Sequence, residues 1–492
     1  MLRRTALSLL GLFLLVPVSS ATWSIVCVNT RTREVGVASA TCLVNFNLRT
    51  GVPVIYVGEG AAAAQSFLDS TGNNRQLIFN SFRDTEETPA EILAQLAQYD
   101  LGHQSRQYGI VNFAGAPVTF TGRQDGLAAT GVTGQVGDFL YAIQGNVLAG
   151  DEIVFAAEAA FRETKGDMGQ KIMAAMHAAR DLGGDGRCSC DEGSPTSCGV
   201  PPPGFVKSAH VGVLLVARIG DTNDGCGRRG CARGDYYLAQ NVIAGVAAPD
   251  PVFTLQERYD FWRKDHQGRP DGVLSTVHGA KPLVAGEVRT IVVRLRDIDD
   301  LPLDHGGAQL VVSTVDGAPS LAEVGPVQDR GDGSYSFTLT PGKTPGHDRF
   351  VITVTDVNPE DPEDVLTATL FPYLDIDTLP ATLSSAPSAV DAALGGNVAF
   401  VLERADDAFA PYLMVARLVP ASAPGAFPVI AIPRAPFFPG GPGRLDGLGH
   451  AETELAIPAG ALLALVGRRI EFNALVLDGG FAPTNHVTLD VR

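Results

Sequence analysis

Positive charge is scarce in this chain of 492 residues, where 37 Lys and Arg stand against 54 Asp and Glu and leave a formal net charge of −17. So acidic a protein is a poor partner for nucleic acid, because a phosphate backbone is held by a basic surface. Long apolar runs are also missing. After residue 21 nothing in the sequence is long and apolar enough for a membrane helix of about 20 residues, so no membrane span is expected after processing. The seven cysteines lack the paired C-x-x-C knuckles of structural zinc. No metal and no cofactor are expected.

The chain does have many turn formers, 55 Gly and 32 Pro. That composition points to much β structure, and the length favours about three domains. Residues 1–21 read as a signal peptide: Arg3 and Arg4 form the basic end, residues 6–18 the apolar stretch, and Ser19 and Ala21 the small residues of a cleavage site. Cleavage after Ala21 would make Thr22 the first residue of a secreted, periplasmic or cell-surface protein. The cysteines suit that oxidising route. Cys188, Cys190, Cys198, Cys226 and Cys231 lie in two Gly-rich segments and are expected to form disulfides whose pairing the spacing leaves open. The odd thiol is then Cys27 or Cys42, each in a strand-like run.

Local patterns divide the rest. Thr22 to Asn29 and Glu34 to Ser39 flank a polar turn and predict a hairpin, and a second hairpin is predicted at residues 108–112 and 118–121. Between them, Thr88 with Glu91 makes a capping box, Pro89 suits the first helical turn, and Ile92, Leu93, Leu96 and Ala97 form an apolar stripe. A strand at 139–143, Ala-rich helices at 151–164 and 168–180, and a strand at 210–217 follow. Residues 250–263 close the unit, with Tyr259, Phe261 and Trp262 expected to pack together. This order predicts two sheets packed together with helices outside. From about residue 278, short strands with turn signals predict a β-sandwich, a Pro/Ser/Ala-rich linker is expected at 379–390, and a second small β domain follows with a long Gly/Pro-rich connection at 437–449. The predicted domains are the signal peptide 1–21, an α+β unit 22–270, a sandwich 276–378 and a β domain 391–492.

Six ordered segments carry a family resemblance: Thr22-Trp23-Ser24-Ile25-Val26, Gly36-Val37-Ala38-Ser39, Tyr108-Gly109-Ile110-Val111, Gln144-Gly145-Asn146-Val147-Leu148, Gly183-Gly184-Asp185-Gly186-Arg187 and Ser208-Ala209. Together they resemble the domain of unknown function 1028 family, which is grouped with the Ntn hydrolases, over residues 22–262. The resemblance implies an αββα sandwich with an N-terminal nucleophile, followed here by two all-β domains. It supplies no substrate. Residues 188–205 and 221–234 look inserted beside the Gly-Gly-Asp-x-Arg turn, which alters access to the site. Asp332-Gly333-Ser334-Tyr335 and the Thr-Pro-Gly turn that follows resemble immunoglobulin-like modules of bacterial surface proteins.

An N-terminal Thr suffices chemically, because its hydroxyl and its free α-amine sit on one residue and the amine, with a reference pKa of about 7.7–8.0, can take the hydroxyl proton. Asn146 would present an amide to the oxyanion, or be a turn residue. Asp185 and Arg187 would orient a substrate's amine and carboxylate, or pair with each other. Gln65, Ser66 and Ser208 would border the site. Lys207 reads as solvated and His210 as a packed histidine, and Asp221 with Asn223 and Asp224 reads as an acidic turn without the distal Glu of a calcium loop. The expected activity is hydrolysis of a small amide or peptide through a Thr22 acyl ester, with the C-terminal β modules meeting an extracellular partner. The rival expectation is a noncatalytic surface protein that keeps the αββα domain as scaffold.

Overall fold

The computed structural model describes residues 22–84, 86–281, 283–284, 288–342 and 346–379, and the strands that lie between 382 and 491. The expected signal peptide, residues 1–21, and most of the expected 437–449 connection therefore lie outside the described residues. The chain divides into two compact units, Met1–Asp265 and His266–Arg492.

In the first unit the elements run β1 (Thr22–Asn29), β2 (Val35–Thr41), α1 (Leu48–Gly51), β3 (Pro53–Tyr56), β4 (Gly60–Ser66), α2 (Asn73–Asp84), α3 (Pro89–Tyr99), β5 (Arg106–Asn112), β6 (Val118–Thr121), β7 (Thr130–Val136) and β8 (Phe139–Asn146). They continue with α4 (Glu152–Glu163), α5 (Met168–Asp181), α6 (Gly186–Ser189), β9 (Val211–Ala217), β10 (Leu238–Val242) and α7 (Pro251–Asp265). One antiparallel sheet has the order β10-β9-β2-β1-β8-β7 and the other the order β3-β4-β5-β6.

β1 reads as an almost continuous buried run because both of its faces are covered. Trp23, Ile25 and Cys27 point to a core built with Phe161, Met176, Leu255 and Tyr259 of α4, α5 and α7. Val26 and Val28 point the other way, to Ile55, Ala61, Ala63 and Val111 of the second sheet. That sheet's far face packs on α2 and α3 through Ile78, Phe79, Phe82, Ile92 and Leu96. Helices, sheet, sheet, helices is thus the layer order. The predicted hairpin, the Thr88–Glu91 capping box and the helices α4 and α5 all occur.

Several elements were not foreseen. β3, β4, α2 and β7 add strands and a helix where only a connection was expected. The aromatic cluster also divides: Tyr259 is buried and Trp262 packs on it, whereas Phe261 is 75% exposed. Positions three apart share a helix face and an intervening one does not, so α7 turns Phe261 to solvent.

In the second unit, strands Thr276–His278, Arg289–Arg294, Ser334–Thr340 and Glu323–Val324 form one sheet, and Leu283–Val284, Leu374–Leu379, Gly346–Val357 and Gln309–Thr314 another. Ile291, Val293, Tyr335, Phe337, Phe350, Ile352 and Val354 fill one core shared by these strands. The expected linker instead carries strands Thr382–Ala386 and Ala389–Val390, which pair with Gly396–Glu403 and Val487–Val491. Phe400 and Phe472 meet there with ring centroids 4.8 Å apart.

Candidate functional site

At the N-terminal end of β1 the layer between the two sheets changes from aliphatic to polar. Strand alternation gives Thr22 and Ser24 the same face as Val26 and Val28. Pairing sets Asn146 and Gln144 of β8 opposite Thr22 and Ser24, and Ser39 of β2 opposite Ser24. From the second sheet come Gln65 and Gln107, cross-strand partners on β4 and β5. All of these side chains are buried.

Such burial is tolerable only where the polar atoms find partners. The Gln65 amide nitrogen donates to the Thr22 carbonyl at 2.9 Å and to Gln107 Oε1 at 2.8 Å, and its oxygen accepts from the Ser24 hydroxyl. Gln107 Nε2 donates in turn to the Gly145 carbonyl at 2.8 Å and to Thr121 Oγ1 at 3.0 Å. The network ties the first residue of β1 to the last turns of β8 through the second sheet. Gln144 lies against Gly109, and a side chain at 109 would collide with its amide.

Two backbone outliers flank this cluster. Ser66 has φ 71° and Val147 has φ 51°, in the left-handed region where a β-branched residue is a genuine outlier. Strain of this kind costs of order 1–3 kcal/mol and gathers at binding and catalytic sites. Ser66 is held by its neighbours: Asn146 Nδ2 donates to its Oγ at 3.2 Å, and its hydroxyl is bonded to Asp125. Asp125, fully buried, also accepts the Gly122 N–H at 2.6 Å. Burial pushes its carboxyl up to about 6, against the opposing hydrogen bonds from Ser66 and Gly122. Sequence reasoning missed Asp125, which stands in a Gly122-Arg123-Gln124-Asp125-Gly126 turn; its polar side chain inside a tight Gly-flanked turn was the available signal.

Asp185 and Arg187 pair with each other. Arg187 Nε and Nη2 meet the two carboxylate oxygens at 3.0 and 2.7 Å, and Asp185 also caps α6 through the Arg187 N–H and accepts the Cys42 N–H at 2.7 Å. Arg187 Nη2 reaches Thr41 Oγ1 at 3.2 Å. Thr41 follows Ala40, the strand partner of Trp23, so the pair stands at the same end of the sheet as Thr22. Ser208 is turned elsewhere. Its hydroxyl and N–H both go to Asp250 Oδ2, at 2.8 and 2.7 Å, and its Cβ lies with the Trp23 ring around Gly184 on the helix side of the sheet. The structure thus brings together Thr22, Asn146, Gln65 and Ser66, sets Asp185 and Arg187 beside them, and leaves Ser208 apart.

The neighbouring groups have structural duties. Lys207 bonds the Val246 carbonyl, and the His210 N–H bonds the Thr41 carbonyl at 2.9 Å. Burial, helped by Lys207, holds the His210 imidazole below its ordinary pKa. Asp221 accepts the N–H groups of Arg218 and Tyr237 at 2.8 and 2.7 Å, and burial pushes it up to about 6. It is a brace within the acidic turn. Disulfides join Cys42 to Cys188, Cys190 to Cys198 and Cys226 to Cys231, and Cys27 is a buried free thiol. Cys42, Cys188 and His210 have ligand-type atoms within 4.8 Å of one another, but the two sulfurs are bonded to each other. Disulfides persist in oxidising compartments. Among the described residues no helix is long and apolar enough to cross a membrane.

No curated protein matches the chain. Among solved structures, a DUF1028-family protein from Silicibacter pomeroyi is 18% identical, with 49% of this chain and 89% of that one covered at a TM-score of 0.36. The adhesin FdeC of Escherichia coli is 12% identical with 96% of each chain covered at a TM-score of 0.18, and the adhesin InvE of Yersinia pseudotuberculosis is 14% identical with 44% of this chain and 59% of that one covered at 0.17. Over residues 22–194 the chain matches the model of a family described as of unknown function, DUF1028.

Proposed function

We propose that the first unit is an Ntn-type amidohydrolase whose nucleophile is Thr22, set free by removal of residues 1–21 during export. The observation that carries this reading is the convergence of Thr22, Asn146, Gln65 and Ser66 at one end of the polar layer, flanked by the strained residues Ser66 and Val147. In the step envisaged, Thr22 Oγ attacks the carbonyl carbon of a small amide or peptide and its proton passes to the Thr22 α-amine. The Asn146 amide donates to the tetrahedral oxyanion, a contribution of about 2.7–4 kcal/mol for one such donor. The C–N bond then breaks, the amine leaves with the proton held by the α-amine, and water hydrolyses the Thr22 ester. In the precursor the nitrogen of Thr22 is acylated and nonbasic, so export itself matures the catalyst.

The Asp185–Arg187 pair supports the same reading as a fixed charge couple at the site's edge, for a substrate that carries its own charged group. Among the described residues the C-terminal β modules supply no comparable cluster, and they fit a role in meeting an extracellular partner. The test is labelling of exported protein with an alkyne-tagged β-lactone, which the nucleophile opens to a stable ester. Wild type is expected to take the label on Thr22, Thr22→Ser to take it with retained reactivity, and Thr22→Ala to remain folded and unlabelled. Equal labelling of wild type and Thr22→Ala would reject the mechanism and leave the domain as a noncatalytic scaffold.

A further inference from the structure

One buried carboxylate is not used by the mechanism above, although it stands two hydrogen bonds from Asn146. Asp125 is bonded to the Ser66 hydroxyl, and the Ser66 oxygen accepts from Asn146 Nδ2 at 3.2 Å. The turn that carries Asp125 is anchored to the same place, because the Leu127 carbonyl accepts the Val147 N–H at 3.1 Å. Ser66 adopts its left-handed backbone at this junction. We propose, on the reading that Thr22 is the nucleophile, that Asp125 is a positioning residue that sets the Asn146 amide through Ser66 and makes the site sensitive to acid.

The physics is a matter of one proton. An ionised carboxylate is acceptor-only, so it draws the Ser66 hydroxyl hydrogen to itself and turns the oxygen lone pairs toward Asn146 Nδ2. One amide hydrogen of Asn146 is then fixed on Ser66 and the other is aimed at the oxyanion position. A protonated Asp125 can donate to Ser66 instead. The hydroxyl hydrogen then has no carboxylate to hold it and is free to rotate, including toward the Asn146 N–H, so the amide loses its fixed acceptor. The charged group acting on Asp125 is Arg106 on β5, which is itself held by Asp100 at 2.8 Å, and the hydrogen-bond partners of Asp125 include the Ser66 hydroxyl and the Gly122 N–H. With burial holding the carboxyl up to about 6, the change falls inside the range over which an exported protein works.

The experiment measures the rate of β-lactone labelling of the exported full chain from pH 5 to pH 9, with the labelled residue located by peptide mapping. The wild-type rate should fall below about pH 8 as the α-amine protonates, and more steeply below about pH 6, with an additional loss of about tenfold at pH 5. Asp125→Asn should label more slowly than wild type at pH 8 and lack the steeper acid limb. Ser66→Gly removes the hydroxyl at a position whose backbone glycine adopts freely, so it should fold and behave like Asp125→Asn. Wild type labelled on Thr22 with a pH profile of the same shape as both variants would overturn the relay and leave the nucleophile standing. Absence of label on Thr22 at every pH would overturn both. A merely structural Asp125 would lower the rate at all pH values and keep the steeper limb in Ser66→Gly.

Discussion

Replacing Cys42 and Cys188 together by serine removes a crosslink that closes a loop of 146 residues, against 8 for Cys190–Cys198 and 5 for Cys226–Cys231. In the chain-entropy account the constraint on the unfolded state grows with the logarithm of that length. It amounts to about 5 kcal/mol for the longest loop, about 2.5 kcal/mol for the middle one and about 2 kcal/mol for the shortest. The native state should change little, since the Asp185–Arg187 pair and the Cys42 N–H bond to Asp185 do not need the sulfurs. The assay is guanidinium unfolding of the full chain followed by tryptophan fluorescence. The chain has 2 tryptophans, Trp23 and Trp262, and both lie in the first unit, so the signal reports that unit alone. The Cys42→Ser/Cys188→Ser double variant should be the least stable of the three double variants. A midpoint shift no larger than that of Cys226→Ser/Cys231→Ser would refute the entropic reasoning.

Other consequences follow from the same unit. Asp100 is opposed by its partial burial, yet hydrogen bonds from Arg106, Asn74 and the Gly102 N–H hold its carboxyl down to about 2. Its contribution is therefore present above about pH 4 and lost as the pH falls toward 2, and Asp100→Asn should flatten that limb of the stability profile. Asp221 is raised to about 6 by burial, so its contribution runs the other way: it is present below about pH 4 and lost as the pH rises through 6. Asp221→Asn should reduce the decline in stability between those values, measured by denaturant midpoints. Gly109→Ala forces a methyl group into the Gln144 amide and should cost about 1–3 kcal/mol in the same unfolding assay, with β-lactone labelling reduced in parallel.

What could be read in advance was what short-range chemistry dictates. Thr88, Pro89 and Glu91 announce α3 because a capping box is complete within four residues. The β1–β2 hairpin declares itself through two apolar runs about a polar turn. β4 did not, because Ala61 to Ala64 lack the β-branched and aromatic residues that mark strands; there Ala61 and Ala63 fill the space between the two sheets and Ala62 and Ala64 pack under α2 and α3. Long-range partners were equally hidden. Ser208 turns to Asp250, 42 residues away, and Cys42 to Cys188, so neither the orientation of the one nor the pairing of the other is encoded locally. The Gly-flanked turn marks Asp125 as a polar residue in a tight turn, but the burial that raises its pKa comes from the fold and is not encoded locally.

Acyl transfer by Thr22 depends most on its carrying a free amine. Intact-mass measurement and N-terminal sequencing of the protein recovered after export test this directly. The expected result is a chain that begins at Thr22 with an unmodified α-amine. A chain that begins at any other residue, or a Thr22 whose nitrogen is acylated, would contradict it.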